Sequence, residues 1–341
     1  MKLLILGGTV FLGRHIVDAA LARGHQVTLF NRGRHGSELF PGVERLTGDR
    51  DAKLDALRGR SWDAVIDTCG YFPRVVRQSA DLLRDAVGHY TFVSSISVYK
   101  DIPGANADES TPVGTLDDPT VETITGETYG PLKALCEQVV QAELGARAFI
   151  VRPGLLVGPH DPSGRFTYWV TRIAQGGDVL APGDPDMQVE FIDTRDGAEW
   201  MVRCAEDGVT GVQNMTGPCE ALSMREFLEA ARATLNPAAN LVWVPEDFLL
   251  ERKVTPWTEV PLWIPKADQG MLSVSIERAL AAGLAFRSLA ETLRDTLAWA
   301  TGPDAIRTPP ERISAGPKPQ IGLTPERERE LLDDWRRTKA G

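Results

Sequence analysis

Lys2-Leu3-Leu4-Ile5-Leu6-Gly7-Gly8-Thr9-Val10-Phe11-Leu12-Gly13 is the stretch that decides the fold. Residues 3–6 are an unbroken apolar run, the pattern of a strand covered on both faces of a parallel sheet. After the glycines, residues 14–23 place Ile16, Val17, Ala20 and Leu21 at helical spacing, and Gly24-His25 ends that helix. Residues 26–30, Gln-Val-Thr-Leu-Phe, read as a second strand. Strand, glycine loop, helix and strand within about thirty residues predict a right-handed βαβ unit. In that context the backbone N–H groups at the helix start can hold a pyrophosphate, which makes the loop a dinucleotide-binding fingerprint. Gly7 suits the tight turn and Gly13 suits close helix–strand packing. Val10 stands where a middle glycine is common, so the cofactor is expected in a shifted pose, with Gly8 relaxing the loop earlier.

Outward from this unit the alternation continues. Strands are predicted at 43–49, 62–67, 90–93 and 148–151, with a helix at 74–87. Asn31-Arg32-Gly33-Arg34 follows the second strand, where an acid would favour NAD through the ribose hydroxyls. A guanidinium there suits a 2′-phosphate, so NADP is expected and NAD remains possible; the alternative is a pair of solvated loop charges. Residues 100–128 form a long loop rich in Pro, Gly, Asp and Thr. A helix beginning at Tyr129 follows, with Pro131 in its first turn, where proline is tolerated.

Beyond residue 160 the pattern loosens. Helices are expected at 167–175, 196–207, 224–235, 276–283 and 289–301, and strand-like segments at 189–193, 211–215 and 240–245. Residues 179–185 read as turn-rich. Trp257 and Trp263 lie in a proline-rich stretch and would either wall a substrate pocket or plug the lobe. The expected organisation is a dinucleotide-binding domain at 1–160 with a return segment near 189–215. A smaller α/β substrate lobe would take 161–188 and 216–300, and an arm with a terminal helix 301–341, packing back through Leu331, Leu332 and Trp335.

Composition narrows the function classes. With 43% apolar and 25% charged residues the chain can bury a full core. A net charge of −10 disfavours general affinity for nucleic acid or anionic membrane. The four cysteines show no metal-ligand spacing and read as reduced thiols, so no metal site and a cytoplasmic setting are expected. No apolar run approaches membrane-spanning length.

The candidate chemistry lies in Glu127-Thr128-Tyr129-Gly130-Pro131-Leu132-Lys133. Four residues apart on one helix, Tyr129 and Lys133 share a face, and a nearby ammonium would lower the phenol pKa. On a doubly wound sheet the glycine loop, Thr68-Cys69-Gly70-Tyr71, Ser94-Ser95 and Pro153-Gly154 all follow strand ends, so they share the ligand-binding edge. A serine, a tyrosine and a lysine beside a nicotinamide make a site for hydride transfer at a carbonyl or hydroxyl carbon.

The ordered set Gly7-x-x-x-x-x-Gly13, Ser95, Tyr129-x-x-x-Lys133 and Arg152-Pro153…Gly158-Pro159 resembles the extended and atypical short-chain dehydrogenase/reductases, including the nucleotide-sugar epimerases and dehydratases. The resemblance spans about residues 1–300 and implies a Rossmann fold and a homodimer through the helices at 74–87 and 129–142. It implies Tyr129 as general acid/base, Ser95 as holder of the substrate oxygen, and Lys133 on the nicotinamide ribose. Ser95 is preferred to Ser94 because the active hydroxyl of the family stands four residues before a Val-Tyr tyrosine, here Tyr99. The implied cofactor contacts are Gly7, Thr9, Phe11, Leu12, Gly13, Asn31, Arg32, Asp49, Arg50, Cys69, Lys133 and Pro153.

Two departures narrow the subtype. Ile96-Ser97 replaces the Asp-Glu pair of the dehydratases, and Val189 stands where many epimerases carry a diphosphate-gripping arginine. The Gly-Gly-Thr-x-Phe-x-Gly loop looks more like an atypical group in which RNA binding occurs on the same fold. The leading expectation is an NADP-preferring oxidoreductase acting on an alcohol or ketone of a sugar-like substrate. The alternatives are an epimerase with retained NAD and an RNA-binding member without redox turnover, the last opposed by the net charge.

Overall fold

The computed structural model describes residues 1–341 except 101–106, 268–273, 304, 306–319 and 341. The first half of the chain runs β1 (Lys2–Leu6), α1 (Phe11–Ala22), β2 (Gln26–Asn31), β3 (Glu44–Thr47), β4 (Trp62–Asp67), α2 (Pro73–Leu83), β5 (Val87–Val93), α3 (Tyr129–Leu144) and β6 (Ala148–Pro153). It continues with β7 (Leu156–Val157), α4 (Arg165–Gln175), β8 (Asp178–Pro182), β9 (Ile192–Asp193), α5 (Thr194–Asp207) and β10 (Gly211–Met215). The last elements are α6 (Met224–Leu235), β11 (Asn240–Val244), α7 (Glu246–Glu251), α8 (Glu277–Ala281), α9 (Leu289–Thr301) and α10 (Pro325–Ala340).

Seven strands form one parallel sheet in the order β10-β6-β5-β4-β1-β2-β3. This is the doubly wound Rossmann arrangement expected from the N-terminal unit, extended by one strand. Side chains alternate across a strand, so Leu3 and Ile5 of β1 pack with α1 and α5, while Leu4 and Leu6 pack on the α2–α3 side. All four are at most 1% exposed, each stabilising the sheet by roughly 1.5–3 kcal/mol.

A third apolar cluster gathers α4, α6, β8, β11 and the terminal helix around the fully buried Trp169, Phe227 and Trp263. Here the sequence pattern is overruled in one place. Residues 179–185, expected as turn-rich, contain β8, which pairs in parallel with β11. Val179, Leu180 and Ala181 are buried, and the turn begins only at Gly183, with φ 62°. Packing against the lobe outweighs the local Gly/Pro/Asp signal.

Smaller shifts occur at boundaries. α2 ends at Leu83 because β5 begins at Val87, and only Ile192–Asp193 of the expected 189–193 strand pairs, with β7. α7 has no counterpart in the sequence reading. Most of the expected 302–324 arm, and residues 101–106 of the long loop, lie outside the described residues. Among the described residues no helix is long and apolar enough to cross a membrane. All four cysteines are free thiols.

Candidate active site

A cleft of about 2380 Å³ follows the C-terminal edge of the sheet, and every site residue expected from sequence lines it. Its floor is the glycine loop. Gly7 takes φ 111°, and a Cβ there would lie 2.4 Å from Thr68 Oγ1, so the turn rests on the end of β4 and admits no side chain. Val10 is an extended residue at the start of α1 (φ −124°, ψ 144°), and the helix has no side-chain cap. The positive φ values of the loop fall on Gly7, Gly8 and Phe11, and Val10 itself stays extended, so the branched side chain at position 10 is accommodated by the backbone. The uncapped first-turn N–H groups and this side-chain-free turn form a cradle that fits the diphosphate of a dinucleotide.

At the end of β2, Asn31 braces the loop: Nδ2 donates to Gly7 O at 3.0 Å, and Oδ1 accepts from Gly33 N at 2.9 Å. Arg32 is exposed at the rim and Asp49 lies beside it in the cleft wall. Arg50 also reaches the cleft, but its guanidinium is already committed. It donates to both oxygens of the buried Asp67 at 2.6 and 2.7 Å and to Ser79 Oγ at 2.7 Å. Tyr90 completes the cluster by donating to Asp67 Oδ2 at 3.0 Å. Burial acts to raise the Asp67 pKa, and the Arg50 charge and hydrogen bonds outweigh it, holding the carboxyl below the usual range. Arg50 is thus a strut beneath the cofactor side through its two terminal nitrogens, while its buried Nε has no partner among the described residues. Burial pushes the Cys69 thiol up, so it stays neutral at ordinary pH.

Beyond β5 the two serines part company. Ser94 Oγ donates to Glu137 at 2.5 Å, and Glu137 is paired to the buried Arg152 at 2.7 and 3.0 Å. Arg152 also reaches the Tyr99 hydroxyl at 3.1 Å, which donates to Asn214 at 2.6 Å. Ser94 is therefore absorbed in a buried network, while Ser95 faces the cleft at the start of a 3₁₀ turn over residues 96–98. Its hydroxyl accepts from Ser97 N and donates to Ser97 Oγ, both at 3.1 Å, and it lies close enough to the Tyr129 phenol to act on its pKa. Contact between these two residues depends on Gly130: a Cβ there would fall 1.9 Å from Ser97 O, so only glycine lets α3 approach this turn.

The expected influence of Lys133 on Tyr129 is corrected. Burial raises the phenol pKa above its ordinary value, opposed by the Ser95 hydroxyl, and the lysine does not figure in the balance. Lys133 Nζ instead donates to Gly70 O and Val93 O, both at 2.6 Å, and sits 4.3 Å from the Phe92 ring centroid. Burial lowers its pKa, against the attraction of Cys136 and Asp67. Two of its three N–H bonds tie the ends of β4 and β5 together.

The substrate side of the cleft holds residues the sequence did not single out: Arg165, Glu190, Thr216 and Ile321. The two tryptophans take one role each. Trp257 walls the cleft, with the Arg165 guanidinium 5.6 Å from its ring, and Trp263 plugs the lobe core. Glu190 could have been noticed as a charge inside an apolar run; Ile321 has no such signal, because its place depends on the terminal segment folding back.

The architecture and the phosphate cradle together define a Rossmann-type dinucleotide-binding protein. Residues 3–216 match the model of the NAD dependent epimerase/dehydratase family, and the chain belongs to that family of enzymes. Solved structures agree on the fold. The UDP-glucuronic acid 4-epimerase of Bacillus cereus, in complex with NAD, aligns at 17% identity with a TM-score of 0.63, over 88% of this chain and 96% of that one. The UDP-N-acetylglucosamine 4-epimerase of the same organism gives 16% and 0.65 over 89% and 100%. The Thermus thermophilus UDP-glucose 4-epimerase, with NAD, gives 20% and 0.64 over 89% and 100%. Comparison with curated protein sequences finds no match.

Proposed function

We propose that the protein is a nicotinamide-dependent oxidoreductase of alcohols and ketones on a sugar-like substrate, with Tyr129 as proton donor and acceptor and Ser95 as holder of the substrate oxygen. The observation that carries this reading is the placement of Ser95 and Tyr129 together in the cleft that the glycine loop opens, near enough for the serine to act on the phenol pKa. Gly7, Gly8, Gly13 and the start of α1 would hold the cofactor diphosphate, with Asn31, Arg32 and Asp49 toward its adenosine end and Pro153 toward the nicotinamide. The chemistry supplied by a bound nicotinamide is hydride exchange with the substrate carbon.

The residues of the chain handle the proton. With its pKa raised, Tyr129 is a neutral phenol at ordinary pH, the form that protonates a carbonyl oxygen as it becomes an alcohol. Ser95 donates to the same oxygen and fixes its place. The reverse direction requires Tyr129 as the phenolate, which takes the alcohol proton as the hydride leaves the carbon. Lys133 holds the Gly70 and Val93 carbonyls and keeps one N–H for a ribose hydroxyl. Arg32 is the group suited to a 2′-phosphate, so the affinity ratio of NADP to NAD in Arg32→Ser reads that preference. The homodimer implied by the resemblance would use α2 and α3, and mass in solution reads it.

The test is Tyr129→Phe. Turnover of a carbonyl panel should fall by about 10³-fold with cofactor affinity unchanged. Equal turnover in the variant would refute the assignment. The second reading, a sugar epimerase with retained cofactor, is favoured by the 4-epimerase structures on the same fold. It requires protein purified with bound cofactor and no net change in its redox state during turnover.

A further inference from the structure

Two buried polar atoms in the substrate half of the cleft have nothing to bind. Glu190 Oε2 and Thr216 Oγ1 find no hydrogen-bond partner among the described residues, yet both residues line the cleft. Thr216 is 2% exposed, and a buried hydroxyl without a partner destabilises the free protein unless a ligand completes it.

The backbone explains why these two side chains occur together. Phe191 N donates to Gly217 O at 2.7 Å, and Glu190 and Thr216 each precede one member of that pair. The same geometry places them near the reactive centre. β10 and β6 run in register to Met215 and Pro153, so Thr216 and Gly154 emerge side by side from the sheet. A Cβ on Gly154 would lie 2.3 Å from Thr216 Oγ1 and 3.6 Å from Ile96 Cδ1, the residue after Ser95. In the segment leading into β9, Val189 is 2% exposed within the lobe core, and the acid that follows it lines the cleft.

Building on the oxidoreductase reading, we infer that Glu190 and Thr216 are a specificity pair that receives a hydrogen-bond donor of the substrate, a hydroxyl or an ammonium, beside the reacting carbon. A phosphate or diphosphate brings no donor to this carboxyl and meets like charge once the acid ionises, so it does not suit this position. The remaining charged residues that line this half are Lys100, Glu127, Asp161 and Arg165. The substrate class is an unphosphorylated polyol or amino-polyol at this end of the cleft. Consistent with a poor environment for bare charge, burial pushes the Glu190 carboxyl up to about 7 against one backbone hydrogen bond from Val274.

The test titrates glucose, glucosamine and UDP into the full-length protein, with and without NAD or NADP, and reads tryptophan fluorescence, for which Trp257 in the cleft wall is the reporter. Glucose or glucosamine should give a saturable signal and UDP none. Glu190→Ala and Thr216→Val should each weaken the sugar response by about tenfold, the effect of deleting one partner of a buried hydrogen bond. The near-isosteric Glu190→Gln should keep the glucose response and lose any preference for glucosamine, which separates recognition from folding. The inference is overturned by a UDP response that Glu190→Ala or Thr216→Val alters, by sugar responses unchanged in Glu190→Ala, or by no response to either sugar. Failure of NAD and NADP to bind would instead strike the oxidoreductase reading, and the cofactor-free titrations would still judge Glu190.

Discussion

The two halves of the cleft are built in different ways. The cofactor half comes from contiguous pieces: a glycine loop between β1 and α1, the residues after β2, and the turn after β4. The substrate half is assembled from Glu190, Thr216, Trp257 and Ile321, separated by long stretches of chain. The first half is braced internally, with Asn31 holding Gly7 and Arg50 neutralising Asp67, and the buried Arg50 Nε is left without a partner among the described residues. The second leaves Glu190 and Thr216 open. A site for a cofactor shared across a family can be preformed and stiff, whereas a site for a particular substrate keeps groups that only that substrate satisfies.

The largest test of this contrast lies under the cofactor half. Arg50→Met leaves the Asp67 charge buried and unpaired, and should lower unfolding free energy by about 3–5 kcal/mol in a denaturant titration. A loss of less than about 1 kcal/mol would mean that the strut is not structural. At the junction of the halves, Gly130→Ala drives a methyl into Ser97 O. It should destabilise by roughly 1–3 kcal/mol and reduce turnover by about 10²-fold through displacement of Tyr129 from Ser95. Turnover unchanged in that variant would detach the Ser95–Tyr129 contact from activity.

The smallest effect belongs to the substrate half. With its carboxyl pKa raised from 4.5 to about 7, Glu190 contributes stability that is complete below pH 4.5 and lost as pH rises through about 7. Glu190→Gln lacks that loss. The variant should therefore gain about 2 kcal/mol relative to the parent between pH 5 and 8, read as diverging melting temperatures. Parallel melting curves would show that the acid is solvated and the two halves are less different than drawn here.

Much of the cofactor half was legible in the chain because its signals are local. A short apolar strand, Gly7, Gly13 and an amphipathic helix in succession specify one βαβ unit, and the unit dictates the edge on which Ser95, Tyr129 and Lys133 meet. The spacing of Tyr129 and Lys133 also placed both on one helix, but could not say where the ammonium would go. That was decided by the carbonyls of Gly70 and Val93, brought beside α3 by the neighbouring strands. The ion pair of Arg50 was hidden for the same reason, since its partner Asp67 is adjacent only across the sheet.

By itself the sequence determined the Rossmann half and the glycine loop that forms its cradle, because short-range periodicity and glycine sterics encode them. Tertiary structure alone decided how Ser94 is tied to Glu137 and Arg152, what holds Lys133, and that Glu190 and Thr216 share one wall. Those outcomes depend on burial and on hydrogen-bond partners far apart in the chain, and neither is a property of any local stretch.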